Sequence, residues 1–419
     1  KKIEYFNYMK ELALMGGKPL IEKTDYQLPI SGQDELENLA SVLNSGKWSR
    51  FASFEQRFSK EFAKFQGGEY AVCTTSGMVA LFCALKVLKV NPGDEVIVPA
   101  FPQPPALSIC YDGAIPIFVD INKENYCIDP DKVREAITKN TKAIIVIHTH
   151  NTVADMDSIM KISREYNIPV IEDCAHGHGV KWRDNGVGYI GDIGIFSFEQ
   201  SKAMTSGEGG IITTNNKHYY QDLVALINLG RGPDNKKNKK IIGWNFRMSE
   251  FHAAVLMAQL NRFPSQLEEK VKNIALFESL LDEMNGIDYI HQDKRISRSG
   301  GFLFTLKYNS RFFDLIPLSI FAKALRAEGV LVRTRDLSYN SPEVVNYLRK
   351  ENIKPYCPNA DIVVKEVLLT IPHHVFLGNV DDIHNIFNAI LKVKNNIKEL
   401  KGYSIASKVK SKLLNIISI

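Results

Sequence analysis

The 419-residue chain has no cysteine pair of the C-x-x-C kind: its six cysteines, Cys73, Cys83, Cys110, Cys127, Cys174 and Cys357, lie far apart among mostly apolar neighbours. That spacing argues against a disulfide framework or a zinc site and for buried, reduced thiols. No apolar run is long enough to cross a bilayer. The opening "KKIEYFNYMKELALMGG" has charges that break up any apolar core of a signal peptide, so a cytoplasmic protein is expected. No charge of one sign dominates either. The 52 basic residues against 47 acidic ones leave a net charge of +5, with four of the lysines in "KKNKK" at 236–240. This is too dispersed for a nucleic-acid footprint. No G-x-G-x-x-G follows the first strand of the α/β region, which excludes the dinucleotide-binding reading. Internal repeats and low-complexity segments are absent too.

What is present is a chain of ordinary soluble composition, 45% hydrophobic and 24% charged, long enough to bury a large core. From about residue 70 to 215, short apolar runs alternate with helical patterns: "YAVCTT", "GMVALFCALKVL", "DEVIVPA", "AIPIFVDI", "KAIIVIHTH", "DMDSIMKISREYN", "IPVIEDCA", "IGIFSF", "GGIITT". Strands that are apolar throughout and return through helices predict a mostly parallel sheet covered on both faces, an α/β fold. Beyond about 250 the order changes to a long amphipathic helix from "SEFHAAVLMAQLNRF", a strand "GFLFTLKY", a helix "SIFAKALRAEG", a strand "VLVRTR" and a last helix "VDDIHNIFNAILKVKNNI". The pattern predicts a large domain over 14–250 with an N-terminal arm, a smaller α+β domain over 251–395, and a tail over 396–419. The basic tail "SKVKSKLLNIISI" reads as a frayed or docked terminus rather than a membrane contact.

Three segments carry chemistry. In "FSFEQSKAMTSGEGG", Phe196 to Gly210, Lys202 follows a strand end, where ligands of α/β sheets bind. It is flanked by small hydroxylated residues and by glycines that admit close backbone approach. A lysine that acts as a nucleophile must be partly neutral, which burial or neighbouring cations achieve. In "VIEDCAHGHG", Asp173 ends an apolar strand; alone it reads more readily as a helix cap, but a carboxylate there also suits a pyridine nitrogen. In "TTSGMVALFCAL", Ser76 and Gly77 enter a helix whose free N–H groups suit a phosphate. Together the three describe a holder of pyridoxal 5′-phosphate. No metal-ligand pattern accompanies them.

The segments "SGMVAL", "GDEVIVPAF", "ADMDSIM", "VIEDCAHGHG", "GDIGIFSFEQSKAMTSGEGG" and "GWNFRMSEFHAAVLMAQL", in this order over residues 14–395, resemble the DegT/DnrJ/EryC1/StrS aminotransferases, enzymes of the aspartate-aminotransferase-like fold. "SFEQSK" with "TSGEGG" is similar in particular to the branch that aminates inososes and to 3-amino-5-hydroxybenzoate synthases. The resemblance implies that Lys202 carries the cofactor covalently and that Asp173 meets its ring nitrogen. His176 would stand by the phenolic oxygen. Ser197, with the backbone of Gly77 and Met78, would bind the phosphate. Asn245 would reach the phosphate of a second subunit, which implies a homodimer with shared sites. The implied reaction moves an amino group from L-glutamate or L-glutamine to the ketone of a sugar, nucleotide-linked or not, or of a cyclitol.

The chain departs from the family at Met78, where a threonine is usual, and at Gln103 in "PAFPQPPAL", where an aromatic residue stacks on the cofactor. "HTHNTVADMD" lacks the Gly-Arg-Pro of the sugar-nucleotide branch but keeps His148. His373 and His374 in "LTIPHHVFLG", Arg231 in "NLGRGPD", and Trp48 to Arg50 are candidate substrate contacts, and the loop 235–240 reads as mobile. Two other readings stay open: an aromatising dehydratase of the aminohydroxybenzoate-synthase type, and a non-catalytic cofactor-binding protein.

Overall fold

The computed structural model describes residues 11–22, 29–49, 53–234, 236, 241–334 and 338–405. Helices α1 (Gln33–Ser45) and α2 (Ser53–Gln66) precede an alternating run: β1 (Tyr70–Thr74), α3 (Gly77–Val87), β2 (Glu95–Pro99), α4 (Pro104–Tyr111), β3 (Ile115–Val119), α5 (Pro130–Ala136), β4 (Thr141–Ile147), α6 (Met156–Tyr166) and β5 (Val170–Asp173). Then come β6 (Ile193–Ser197), β7 (Gly210–Thr214) and α7 (Lys217–Ile227). The seven strands form one sheet in the order β1-β7-β6-β5-β4-β2-β3, parallel except that β7 runs against both its neighbours.

The apolar runs explain this sheet. Side chains alternate across a strand, so a strand buried on both faces must be apolar at every position. In β4, Ala143, Ile145 and Ile147 face a core with α3, α4 and α7, whereas Ile144 and Val146 face one with α2 and α6. The expected α/β fold is therefore present. All six cysteines are free thiols, five of them buried.

Helix α8 (Glu250–Leu281) is 32 residues long with Pro264 inside it. Ala253 to Leu267 pack in the α2/α6 core, whereas Ile274, Phe277 and Leu281 join a third cluster. That cluster is built on a second sheet of β8 (Ile287–Tyr289), β9 (Leu303–Tyr308) and, later in the chain, Leu368–Pro372, with β9 central and every pair antiparallel. Helix α9 (Leu318–Ala327) covers it. Helices α10 (Pro342–Lys350) and α11 (Pro358–Ile362) turn back onto the large sheet: Val344, Leu348 and Ala360 enter the α3 core, and Asp120 accepts the Asn359 and Ala360 amides at 2.9 and 3.0 Å. Leu368–Pro372, β10, and α12 (Val380–Asn395) complete the fold.

One expected strand is reduced. Among the described residues of "VLVRTR", only Arg333 pairs, as a single bridge to Thr370, and the Val332 carbonyl is taken by Arg326 Nε at 3.0 Å instead of a neighbouring strand. Arg335, Arg50, residues 235 and 237–240 of the lysine-rich loop, and the tail from 406 lie outside the described residues. The arm before α1 is fastened to the second sheet's layer by Glu328. This carboxylate, fully buried, accepts the Ala13 and Leu20 amides at 2.8 and 3.2 Å and the Lys392 ammonium at 2.8 Å. Lys392 also donates to the Lys18 carbonyl at 2.9 Å.

Candidate active site

The C-terminal ends of β1, β4, β5 and β6 lie along one edge of the large sheet, and this edge collects the residues singled out above. Ser76 caps α3, its Oγ accepting the Val79 amide at 3.2 Å. That leaves the Gly77 and Met78 amides at the first helical positions, where no intrahelical acceptor exists. Gly77 has to be glycine: a Cβ there would stand 2.8 Å from Ser197 Cβ, at the end of β6. Gly210, which starts β7, is held as tightly, since its Cβ would stand 2.3 Å from the Ser76 carbonyl oxygen. The cradle is thus two backbone amides and a serine hydroxyl pressed together by absent side chains.

Asp173 ends β5 and is 6% exposed. Its Oδ1 accepts the Ala175 amide at 2.9 Å; among the described residues, its Oδ2 has no hydrogen-bond donor. Burial pushes the carboxyl up, against the pull of the Ala175 amide, Lys202 and His148. A buried carboxylate with one open oxygen calls for a cationic N–H partner. Beneath it, His148 Nε2 bonds Glu172 Oε2 at 3.0 Å, and Glu172 also accepts the Gly188, Ile190 and Gly191 amides at 2.9, 2.8 and 2.6 Å. His148, Glu172 and Cys174 bring ligand-type atoms within 4.8 Å of one another. Yet burial holds the Cys174 thiol well above its ordinary value, and Glu172 is already engaged, so the trio is a brace rather than a metal centre.

His176 is kept neutral: burial first, then the Lys202 ammonium and neighbouring imidazoles, hold it well below its ordinary value. Its Nδ1 accepts the His150 amide at 3.1 Å, so the ring proton sits on Nε2, free to donate. Lys202 is placed by the loop that returns from β6 to β7. Its amide donates to the Glu199 carbonyl at 2.9 Å, while Thr205 Oγ1 and the Ser206 amide close on the Phe198 carbonyl at 2.9 and 3.2 Å.

Phe302, which sequence reasoning missed, organises the opposite wall. Lys202 Nζ lies 4.9 Å from its ring centroid, His176 stacks on it at 4.2 Å, and His373 at 5.8 Å. Its signal was the preceding glycine pair: a Cβ on Gly300 would stand 2.5 Å from Val180, and Gly301 takes φ +56°. Two glycines let the strand lead press against the 176–180 backbone. His373 and His374 follow β10 into the cleft that holds Lys202 and Phe302, together with Arg333, Gln259 and Gln266. His374 is pushed down to about 4 by burial and then by Arg333.

The other expected residues are placed elsewhere. Gln103 is 1% exposed and turns to α10, its Nε2 donating to Ser341 Oγ at 3.0 Å and Glu343 Oε1 at 3.2 Å. Met78 is partly exposed at the α3 entrance. Arg231 sits on an exposed turn and does not line the Lys202 cleft. Trp48 lies against Phe251 at 5.7 Å. Asn245 is exposed beside that same turn, bridged to Asn228, and the neighbouring Phe246 carbonyl accepts Thr74 Oγ1 at 2.9 Å at the end of β1.

A mostly parallel sheet whose strand ends present a helix N-terminus, a buried carboxylate and a lysine has the architecture of an α/β enzyme with its site at that edge. Residues 29–391 match the DegT/DnrJ/EryC1/StrS aminotransferase family, and the chain belongs to it. The chain is 32% identical to a putative L-glutamine:3-amino-2,3-dideoxy-scyllo-inosose aminotransferase of Micromonospora echinospora, over 94% of this chain and 99% of that protein. It is 30% identical to the L-glutamine:scyllo-inosose aminotransferase of Streptomyces griseus, over 93% and 99%. Among solved structures, 3-amino-5-hydroxybenzoic acid synthase superposes with a TM-score of 0.78 at 29% identity, covering 87% of this chain and 97% of that one. Among the described residues, no helix is long and apolar enough to cross a membrane.

Proposed function

We propose that this chain binds pyridoxal 5′-phosphate and transfers an amino group from L-glutamine to the ketone of a cyclitol, acting as a homodimer. The observation that carries the reading is the pairing, on one sheet edge, of Lys202 with a buried Asp173 whose second carboxylate oxygen is open. The residues present suit the cofactor. The Gly77 and Met78 amides and the Ser197 hydroxyl would take its phosphate, in a cradle that a Cβ at position 77 or 210 would fill. His176 Nε2–H would donate to its phenolic oxygen, and Lys202 Nζ would hold it covalently. Bound there, the cofactor supplies a ring that accepts the electron pair left at the donor's α-carbon.

The chain's own groups do the rest. Asp173 would keep a proton on the ring nitrogen through its carboxylate oxygen that lacks a donor among the described residues. Lys202 Nζ would serve as the base that takes the donor's α-proton and gives it back within the same site. Phe302 keeps that ammonium over an aromatic face when it is charged. The donor and acceptor classes are supported by the names of the inosose aminotransferases. The homodimer is supported by Ile242 and Trp244, 94% and 65% exposed on the segment that carries Asn245; sedimentation as a monomer would overturn that part.

The test adds L-glutamine to the yellow cofactor-loaded protein. The long-wavelength band should bleach, and borohydride should fix a pyridoxyl group on Lys202 by mass spectrometry. Lys202→Ala should lose both, and turnover equal to the parent's would sink the reading. The likeness to 3-amino-5-hydroxybenzoic acid synthase favours one second reading, an aromatising dehydration with the same lysine. Appearance of an aromatic absorbance from a non-aromatic amino-ketone substrate selects it.

A further inference from the structure

We infer that His150 is a positioning residue: tethered to the three-stranded sheet through Thr305, it fixes the ring proton of His176 on Nε2, the nitrogen assigned above to the cofactor's phenolic oxygen. This rests on the aminotransferase reading and deepens it by naming what sets the donor at that oxygen.

The turn after β4 is held between two sheets. On one side it hangs from the end of β5, the His148 amide donating to the Asp173 carbonyl at 3.1 Å, and the Thr152 amide closes it on the Thr149 carbonyl at 3.0 Å. On the other side two segments of the second layer reach it. Gln292 Nε2 donates to the Asn151 carbonyl at 2.7 Å, and Thr305 Oγ1, in β9, meets His150 Nδ1 at 2.9 Å. His150 and Thr305 are both buried, and the Phe101 ring stands edge-on to His150 at 5.6 Å. Within this turn His150 takes φ +56°, a left-handed backbone that a residue with a Cβ adopts only where its surroundings dictate it. In that conformation its amide meets His176 Nδ1 at 3.1 Å.

A neutral imidazole has one donor and one acceptor nitrogen, and its partners decide which is which. Burial keeps His176 neutral, and the titratable groups around it, Lys202, His150 and His178, all disfavour a second ring proton. An amide can only donate, so His150 obliges Nδ1 to accept and leaves the proton on Nε2. With that amide displaced, the proton divides between the two nitrogens, and a donor at Nε2 is present for only part of the time. Phe302, just before β9, stacks on the same ring at 4.2 Å. The three-stranded sheet thus sets the plane of His176 through Phe302 and its proton through Thr305 and His150.

The measurement is the nitrogen NMR spectrum of the full-length protein labelled at its histidine rings, with and without pyridoxal 5′-phosphate, His176→Gln identifying the signals. In the parent, one His176 nitrogen should be protonated and the other bare. Thr305→Val, which keeps the shape and removes the hydroxyl, should draw the two signals together as the tautomers mix, and Thr305→Ser should restore the parent's pattern. In the cofactor-loaded protein, Thr305→Val should also move the midpoint pH of the long-wavelength band upward, about a 3- to 30-fold gain in proton affinity, because a negative phenolic oxygen loses its donor. His150→Phe, which keeps a flat ring and loses Nδ1, should do the same, and the double variant should do no more than either single one. Should Thr305→Val fail to fold, His150→Phe and Thr305→Ser carry the test. Variants that melt lower by circular dichroism but keep the parent's nitrogen signals reduce the tether to packing and overturn the inference. So does a Thr305→Ser protein that behaves like Thr305→Val, or a band that shifts while the nitrogen signals stay. If the signals respond as expected but L-glutamine leaves the absorbance untouched, the positioning of His176 stands and the aminotransferase reading fails.

Discussion

The two walls of the Lys202 cleft are made in different ways. The wall on the seven-stranded sheet is local: Ser76, Gly77, Asp173, Ser197 and Lys202 each sit within a few residues of a strand end, and the sheet's mostly parallel order gathers those ends. The wall on the three-stranded sheet is assembled from distant segments, with Phe302 before β9, Arg333 on a single bridge, and His373 and His374 after β10. The first wall carries the groups proposed to hold the cofactor; the second faces what enters. Chemistry that must not vary is set by topology, and selectivity is left to residues whose placement depends on packing between the two sheets.

That division can be broken by experiment. The largest effect is expected at Asp173→Asn. The amide still accepts from Ala175, so the melting temperature should hold, but loss of the charged partner should cut transfer roughly 30- to 1000-fold and speed cofactor loss on dialysis. Phe302→Leu should be milder. It removes the aromatic face under Lys202 Nζ and should lower kcat/KM for the donor about 3- to 30-fold, with cofactor retention unchanged on dialysis. If Phe302→Leu sheds the cofactor, or Asp173→Asn keeps it, the split between a holding wall and a selecting wall is wrong.

The smallest effect concerns Lys270 on α8, buried over the Phe263 ring at 4.9 Å and coupled to His178 and His373. Burial lowers it from 10.5 to about 7. Between these values the unfolded chain holds one more proton than the folded one, so this residue's contribution to stability rises with pH across that window and is lost as pH falls towards 7. The parent's melting temperature, corrected for other groups by comparison with Lys270→Met, should rise by about 2 °C or more from pH 7 to 9.5. A parallel profile in the two proteins would remove Lys270 from the account.

The sheet was legible because a doubly buried strand has no freedom to be anything but apolar, as in "KAIIVI", and because helix starts such as "TTSG" announce themselves. The cradle's glycines were legible for a related reason: backbone contact at 77 and 210 forbids a side chain. Phe302 was marked only by the Gly300–Gly301 pair before it, and Arg333, bridged to Thr370 in β10, by no motif; β9 and β10 bring both across from Lys202. Gln103 shows the converse. Its position suggested a cofactor contact, but α10, folded back from a segment more than 230 residues later, takes its amide. The strand expected at 330–335 is reduced to one bridge among the described residues, and there too a side chain, Arg326, claims a carbonyl, that of Val332.

Helix α8 links the two sheets as one rod of about 48 Å at 1.5 Å per residue, and Pro264 within it has no amide hydrogen to give the Leu260 carbonyl. The missing rung falls just before Leu267, after which the rod changes companions. Bending of one lobe against the other is thereby concentrated at a joint written into the chain, and the gap between Lys202 and Arg333 is the dimension that such a joint would adjust.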